Sequence, residues 1–295
     1  MHRAAMPPRS PESSDPERKL GRAGKRASSR WLGGPICTGE MSRDLIRKWL
    51  PGAVWEGLRS LRTWARDLFR RLRHAGRRRY CPVCRASVSQ FVATRGRPDA
   101  VCPVCGSLER HRAVWMFLND EAELAKRKRR LLHVAPEACY RRILERWSHL
   151  DYVTMDLTAP DVMLRADLTN LELDDAQFDL VLCNHVLEHI PDDRSAMSEV
   201  HRILRPGGAA LFTVPRFGPA RPEQTEEGGP YLDAEGRLER FGHPGHVRQY
   251  GRDLEQRLRD AGFDVEHRIH AAELPPAERT RLGIRNGYPI LFCRK

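Results

Sequence analysis

The chain has 295 residues and carries 51 Lys+Arg against 39 Asp+Glu, a formal net charge of +12. That length suits one enzyme-sized domain with an appended module. No apolar run approaches the roughly 20 residues needed to span a bilayer. The N-terminus has positive charge without the apolar stretch of a secretory signal, so a cytoplasmic location is expected. Charge is unevenly placed. Residues 1–80 hold 20 Lys+Arg and 7 Asp+Glu, a net of +13, whereas residues 81–295 hold 31 and 32, a net of −1. The basic character belongs to the N-terminus, and the rest has the balance of an ordinary globular chain.

Residues 1–40 are rich in Pro, Ser, Gly and Arg and lack hydrophobic periodicity. They cannot bury enough apolar surface to offset their ordering entropy, so a disordered basic tail is expected. Met41 opens the first patterned segment and is an alternative translation start. Residues 41–80 are expected to form a basic amphipathic helical segment. Leu58, Leu61, Ala65, Leu68 and Leu72 recur at spacings of three and four, with Arg59, Arg62, Arg66, Arg70 and Arg73 between them. Trp49, Trp55, Trp64 and Phe69 add interfacial aromatics. Three roles stay open for this stripe: packing on the downstream domain, an anionic membrane surface, or RNA. The second would place the protein peripherally at the inner membrane surface.

A zinc ribbon is expected over residues 81–106. "CPVC" at Cys81–Cys84 is followed by a second "CPVC" at Cys102–Cys105. Two Cys-x-x-Cys pairs at this separation match a four-thiolate site for structural zinc. Each tight turn puts two sulfurs on one side of a cation, and two turns complete a tetrahedron. Gly106 suits the end of the second turn, while Arg85 takes the corresponding place after the first. Between the pairs, "SVSQFVATRGRPDAV" reads as two short strands. The remaining cysteines, Cys37, Cys139, Cys183 and Cys293, show no ligand spacing.

Residues 107–295 alternate strand and helix patterns. A helix is expected over 107–125, then strands at 131–135, 150–156, 178–184 and 209–214, with a short one near Leu164. Helices are expected at 137–147, 193–204 and within "QYGRDLEQRLRDAGF". "DVEHRIH" and "YPILFCRK" end the chain as two strands joined by a loop. This alternation implies a doubly wound, mostly parallel α/β sheet.

The stretch "FDLVLCNHVLEHIPDDRSAMSEVHRILRPGGAALFTVP", residues 178–215, closely resembles the second half of class I S-adenosylmethionine-dependent methyltransferases of the small-molecule type. The chain also resembles a subgroup of that fold with a preceding "CPVCGSLERHR" ribbon and an "LHVAPE" loop. The resemblance implies a seven-stranded sheet ending in an antiparallel hairpin, S-adenosylmethionine as cofactor and a small-molecule methyl acceptor. It also implies a first loop of the form acid-x-Gly-x-Gly. Here His133 takes the acidic place, Ala135 that of the first glycine and Glu137 that of the second. Ala135 is nearly as small as glycine, and Glu137 is a candidate partner for the cofactor's ammonium. Asp156 is expected to meet the ribose hydroxyls and Asp167 the adenine amino group. Asn184 and His185 end the fourth strand, facing the reactive sulfur. A general base, where the acceptor needs one, is expected from His185 or His246. The latter closes a long Gly- and Pro-rich insertion, 216–246, of the kind that covers substrates. A ribbon before this fold is also similar to an rRNA guanine methyltransferase architecture. A non-catalytic scaffold, its first loop stripped of glycine, is a third reading.

Overall fold

The structure is a computed structural model that describes residues 52–94, 96–120, 122–215, 221–229, 231–284 and 288–295. The expected disordered tail, 1–40, lies outside these residues, as does Cys37. Residues Arg59–Lys295 form one compact unit. Helix α1 spans Gly52–Arg73. Its side chains Leu61, Trp64, Leu68, Phe69 and Leu72 are all exposed, so they do not pack on the downstream domain. The polar side of its last turn is tethered, with Arg71 Nη2 donating to Cys84 O (2.7 Å) and Arg70 Nη1 to Val104 O (3.4 Å).

The helix stops earlier than the expected end at residue 80. After His74 the chain extends as β1 (Ala75–Cys81), pairing Tyr80 with Ser87 and Cys81 with Ala86 of β2 (Ala86–Val88). The first cysteine turn needs this extended entry, and it overrides the helical pattern of "RRRY". Strands β3 (Val92–Thr94) and β4 (Arg97–Val101) form the expected hairpin between the cysteine pairs. Helix α2 (Glu109–Asp120) is shorter than 107–125 at both ends. Cys102 N–H donates to Ser107 O (2.9 Å), which commits Ser107 to the second cysteine turn.

The main sheet has seven strands in the order β12-β13-β9-β8-β5-β6-β7. They are β5 (Arg129–Val134), β6 (Leu150–Asp156), β7 (Leu164–Arg165), β8 (Phe178–Asn184), β9 (Leu204–Thr213), β12 (Asp264–Arg268) and β13 (Ile290–Arg294). Neighbouring pairs are parallel from β7 to β9, while β13 runs antiparallel to both β9 and β12. The expected doubly wound, mostly parallel sheet with its terminal hairpin therefore forms. Helices α3 (Ala138–Leu144) and α4 (Asp193–Ile203) connect the parallel strands. The Asp192 side chain caps α4 by accepting from Ser195 N–H (3.0 Å).

Two apolar clusters cover the two sheet faces. Phe178, Val181, Phe212, Met197, Val200 and Leu258 lie in one cluster. The other joins Leu131, Leu182 and Phe292 to Trp115 and Tyr140, and on to Val83, Phe91 and Val104 of the ribbon. The ribbon is thus packed into the sheet's own core rather than attached at its edge.

Two connections hold more structure than the sequence pattern suggests. Part of the 216–246 insertion folds as β10 (Glu226–Glu227) and α5 (Ala234–Phe241). Strand β11 (Arg248–Gln249) pairs with β10, and α6 (Leu254–Asp260) follows. The loop expected between the last two strands contains α7 (Pro276–Leu282), with proline in its first turn where a missing N–H costs nothing. Its seven residues are too few to give a readable apolar period.

Candidate active site and metal centre

The carboxyl ends of β5, β6, β8 and β9 lie side by side, where open parallel sheets place their ligands. Ala135 follows β5 with φ 48°, and His185 follows β8 with φ 53°. Both occupy the left-handed region, which costs a non-glycine residue on the order of 1–2 kcal/mol. Ala135 thus adopts the backbone for which glycine is the ordinary choice. Its N–H donates to Met155 O at 2.8 Å, and His185 N–H to Thr213 O at 2.8 Å. Each strained turn is held by the neighbouring strand.

Beneath these turns a polar chain crosses four strands. Thr213 Oγ1 donates to Asn184 Oδ1 (3.0 Å), and Asn184 Nδ2 donates to Glu137 Oε1 (3.1 Å). Glu137 Oε2 lies 2.5 Å from His133 Nε2, and His133 Nδ1 lies 2.8 Å from Tyr152 Oη. Because the carboxylate can only accept, His133 carries its proton on Nε2, and the Tyr152 hydroxyl donates to Nδ1. Burial works against ionising Glu137. The His133 hydrogen bond and the nearby imidazoles outweigh it, holding the carboxyl below its usual range. Glu137, at the position where the resembled loop would carry glycine, thus knits β5, β8 and β9 together through His133, Asn184 and Thr213. Thr213 and Tyr152 were missed in the sequence, because strand residues of these types carry no motif.

Asp156 ends β6 half-buried. Its Oδ1 accepts from the N–H groups of Thr158 and Ala159, both at 2.8 Å. Burial opposes these bonds, yet together they lower its pKa. Oδ2 accepts no hydrogen bond among the described residues. Asp167 is exposed, with Oδ1 accepting from Thr169 N–H and Oγ1, both at 2.9 Å. Leu157 and Met163 stand exposed near these carboxylates in sequence.

His185 and His246 meet around one carboxylate. His185 Nδ1 lies 3.3 Å from Glu188 Oε1, and His246 Nε2 lies 3.9 Å from the same atom. Glu188 is 1% exposed, and neither of its oxygens accepts a hydrogen bond among the described residues. From its place in "LEH" it reads as a helix cap, yet it caps nothing here. The insertion is pinned against this turn by Arg248, which bonds Glu227 Oε2 (2.8 Å), Leu187 O (3.2 Å), Pro191 O (2.7 Å) and Ile190 O.

The four ribbon sulfurs converge as the spacing requires. Cys81 Sγ is 3.6 Å from Cys105 Sγ, and Cys84 Sγ is 3.7 Å from Cys102 Sγ. A tetrahedron with roughly 2.3 Å metal–sulfur bonds has sulfurs roughly 3.8 Å apart, so the donor set fits zinc. Arg85 and Gly106 both take the left-handed backbone (φ 55° and 79°), closing the two turns identically. Ser107 Oγ lies 3.1 Å from Cys81 Sγ and 3.2 Å from Cys105 Sγ. Cys139 is buried in the core, and burial pushes its thiol up.

Residues 143–212 match the profile of a methyltransferase domain family. Among individual relatives, a probable S-adenosylmethionine-dependent methyltransferase of Mycolicibacterium smegmatis is 33% identical over 140 residues, 45% of this chain and 46% of the relative. Sarcosine/dimethylglycine N-methyltransferase of Halorhodospira halochloris is 34% identical over 111 residues, 37% of this chain and 36% of the relative. The chain spans less than half the length of these curated relatives. A solved S-adenosylmethionine-dependent methyltransferase from Mesorhizobium loti superposes with TM-score 0.43 at 20% identity, covering 62% of this chain and 98% of that one.

Proposed function

We propose that this protein transfers a methyl group from S-adenosylmethionine to a small-molecule acceptor. The observation that carries the reading is the row of strand ends Ala135, Asp156, Asn184 and His185, in and beside the segment that matches the methyltransferase family. The left-handed Ala135 turn lets the backbone approach the cofactor's amino-acid end, and Glu137, itself still partly exposed, offers its ammonium a fixed carboxylate. Asp156 Oδ2 is the acceptor for the ribose hydroxyls, with Leu157 and Met163 flanking the base and Asp167 at its amino edge. Methyl transfer is an in-line displacement at a cationic sulfur, so alignment and desolvation supply most of the rate. For an acceptor that must lose a proton, Glu188 orients His185 through Nδ1 and leaves Nε2 as the base.

Titration calorimetry with S-adenosylmethionine and its demethylated product tests this reading. Asp156→Ala should weaken binding at least about tenfold, because charge-assisted hydrogen bonds contribute roughly 1.5–3 kcal/mol each. Ala135→Gly with Glu137→Gly should not improve it, because the second change dismantles the His133–Asn184 link. Binding that appears only in the glycine-restored variant would instead mark a scaffold that has lost its cofactor.

In the same protein, Cys81, Cys84, Cys102 and Cys105 hold one structural zinc, and α1 docks on an anionic membrane. Among the described residues no helix is long and apolar enough to cross a bilayer. A surface-lying α1 would bury Leu61, Trp64, Leu68, Phe69 and Leu72 in the interface. Its arginines would meet acidic headgroups, each contributing roughly 1 kcal/mol. Full-length protein should float with phosphatidylglycerol vesicles and not with phosphatidylcholine vesicles, and Trp64→Glu with Leu68→Glu should abolish flotation. Failure to float on the anionic vesicles would exclude this role.

A further inference from the structure

We propose that His189, His243 and His246 form a second metal site, separate from the four cysteines, for a divalent cation of the zinc and cobalt class. His189 ends the "LEH" turn after β8, whereas His243 and His246 bracket a tight turn in the insertion. His246 N–H donates to His243 O at 3.2 Å, which closes that turn. The three rings are packed around one point, with centroids 4.7–5.3 Å apart. One ring nitrogen from each lies within 4.8 Å of the others. A tetrahedral ion with bonds of roughly 2.0–2.1 Å needs nitrogens roughly 3.3 Å apart, a closure within reach of rotation about the side-chain bonds.

Two further features point to a cation. Gly245 O can only accept, so His189 Nδ1, 3.0 Å away, donates to it, and the Nε2 lone pair is left outward for a ligand. Gly245 also gives the rings room: a Cβ there would stand 3.0 Å from His189 Nδ1 and 3.3 Å from His243 Nδ1. His243 Nδ1 accepts from Gly245 N–H (3.1 Å), a bond that metal binding exchanges for coordination. The second feature is Glu188, a buried carboxylate with no hydrogen bond to either oxygen, 3.9 Å from His246 Nε2. Glu188, which also lies 3.3 Å from His185 Nδ1, stands where the outer carboxylate partner of a metal-ligating histidine stands, and would orient His246 to coordinate through its other ring nitrogen. Three neutral nitrogens favour zinc, cobalt, nickel or copper over magnesium or calcium. They also leave a coordination position open to water or to an oxygen, nitrogen or sulfur donor, unlike the closed cysteine set. The inference stands independently of the cofactor reading.

The test is anaerobic titration of the reduced full-length chain with Co2+, which reports its ligands optically. Two phases are expected: one with sulfur-to-metal charge-transfer bands, and one with visible ligand-field bands alone. In His189→Ala with His243→Ala, both at least partly exposed positions, the second phase should vanish while the thiolate phase stays. Gly245→Ala should weaken the second phase at least tenfold. A single thiolate phase in the wild type, or an unchanged second phase in the double variant, would overturn the site.

Discussion

Cys84→Ser with Cys102→Ser should release the zinc proposed for the ribbon and cost a large share of the domain's stability. Structural zinc contributes folding free energy on the order of 10 kcal/mol in small modules, comparable with the whole stability of a domain. In most appended ribbons that loss would stay local. Here Val83, Phe91 and Val104 share a cluster with Trp115, Tyr140, Leu131 and Phe292, so a loosened ribbon opens one face of the sheet. Thermal unfolding should therefore move down by well over 10 °C. Metal content should fall by one equivalent in the same protein. A variant that keeps its metal, or loses it with an unchanged melting temperature, contradicts the assignment. Serine keeps nearly the shape of the thiol, and reading metal content beside the melting temperature separates loss of zinc from loss of packing.

What was legible in the sequence follows from how local each signal is. The cysteine pairs fix their ligand geometry within four residues, and both turns close as the spacing implies. The parallel strands announce themselves as apolar runs, "LLHV" and "FDLVLC", because both faces are covered. The loop after β5 is less legible. Its glycine-free sequence gives no hint that Ala135 still takes a left-handed backbone, or that Glu137 is engaged by His133 and Asn184. Those facts depend on β8 lying beside β5, a contact between residues nearly fifty positions apart. Glu188 misleads for the same reason. Its spacing suggests a cap, but the insertion that brings His246 towards it is 58 residues away and is pinned by Arg248. Helix α1 was legible as amphipathic, and the structure leaves Leu61, Trp64, Leu68, Phe69 and Leu72 exposed among the described residues.

Arg112 is the residue whose importance the sequence hides most completely, and Arg112→Met should cost about 4 kcal/mol. It reads as one more charge in "LERHR", on a helix rich in charge. In the structure it is fully buried and donates four hydrogen bonds to main-chain carbonyls. Nη1 reaches Ala100 O (3.0 Å) and Ser107 O (2.9 Å) in the ribbon. Nε reaches Leu282 O (2.6 Å) and Nη2 reaches Gly283 O (2.9 Å) at the end of α7. The guanidinium lies over the Phe91 ring at 4.1 Å. One side chain thus joins the metal module to a segment 170 residues later in the chain. Gly283 is obligatory at this junction: its φ is 62°, and a Cβ would stand 2.6 Å from Phe91 and 2.9 Å from Arg112 Nη2. Burial alone lowers the pKa of Arg112, but the nearby Cys81 and Cys102 thiolates and Glu109 oppose that shift. A four-thiolate zinc centre held there would carry net negative charge, so metal and arginine would stabilise each other. Methionine fills the space but takes the guanidinium donor from Ala100 O, Leu282 O and Gly283 O, leaves Ser107 O with its Cys102 N–H, and removes the counter-charge from the cysteines. At roughly 2–4 °C per kcal/mol for a unit of this size, melting should fall by about 8–16 °C. Arg112→Lys restores charge without the planar fork and should recover only part of that loss. The variant should also give up zinc to a chelator faster than wild type, which simple loss of packing elsewhere in the core would not cause. Equal release rates would confine Arg112 to a mechanical role.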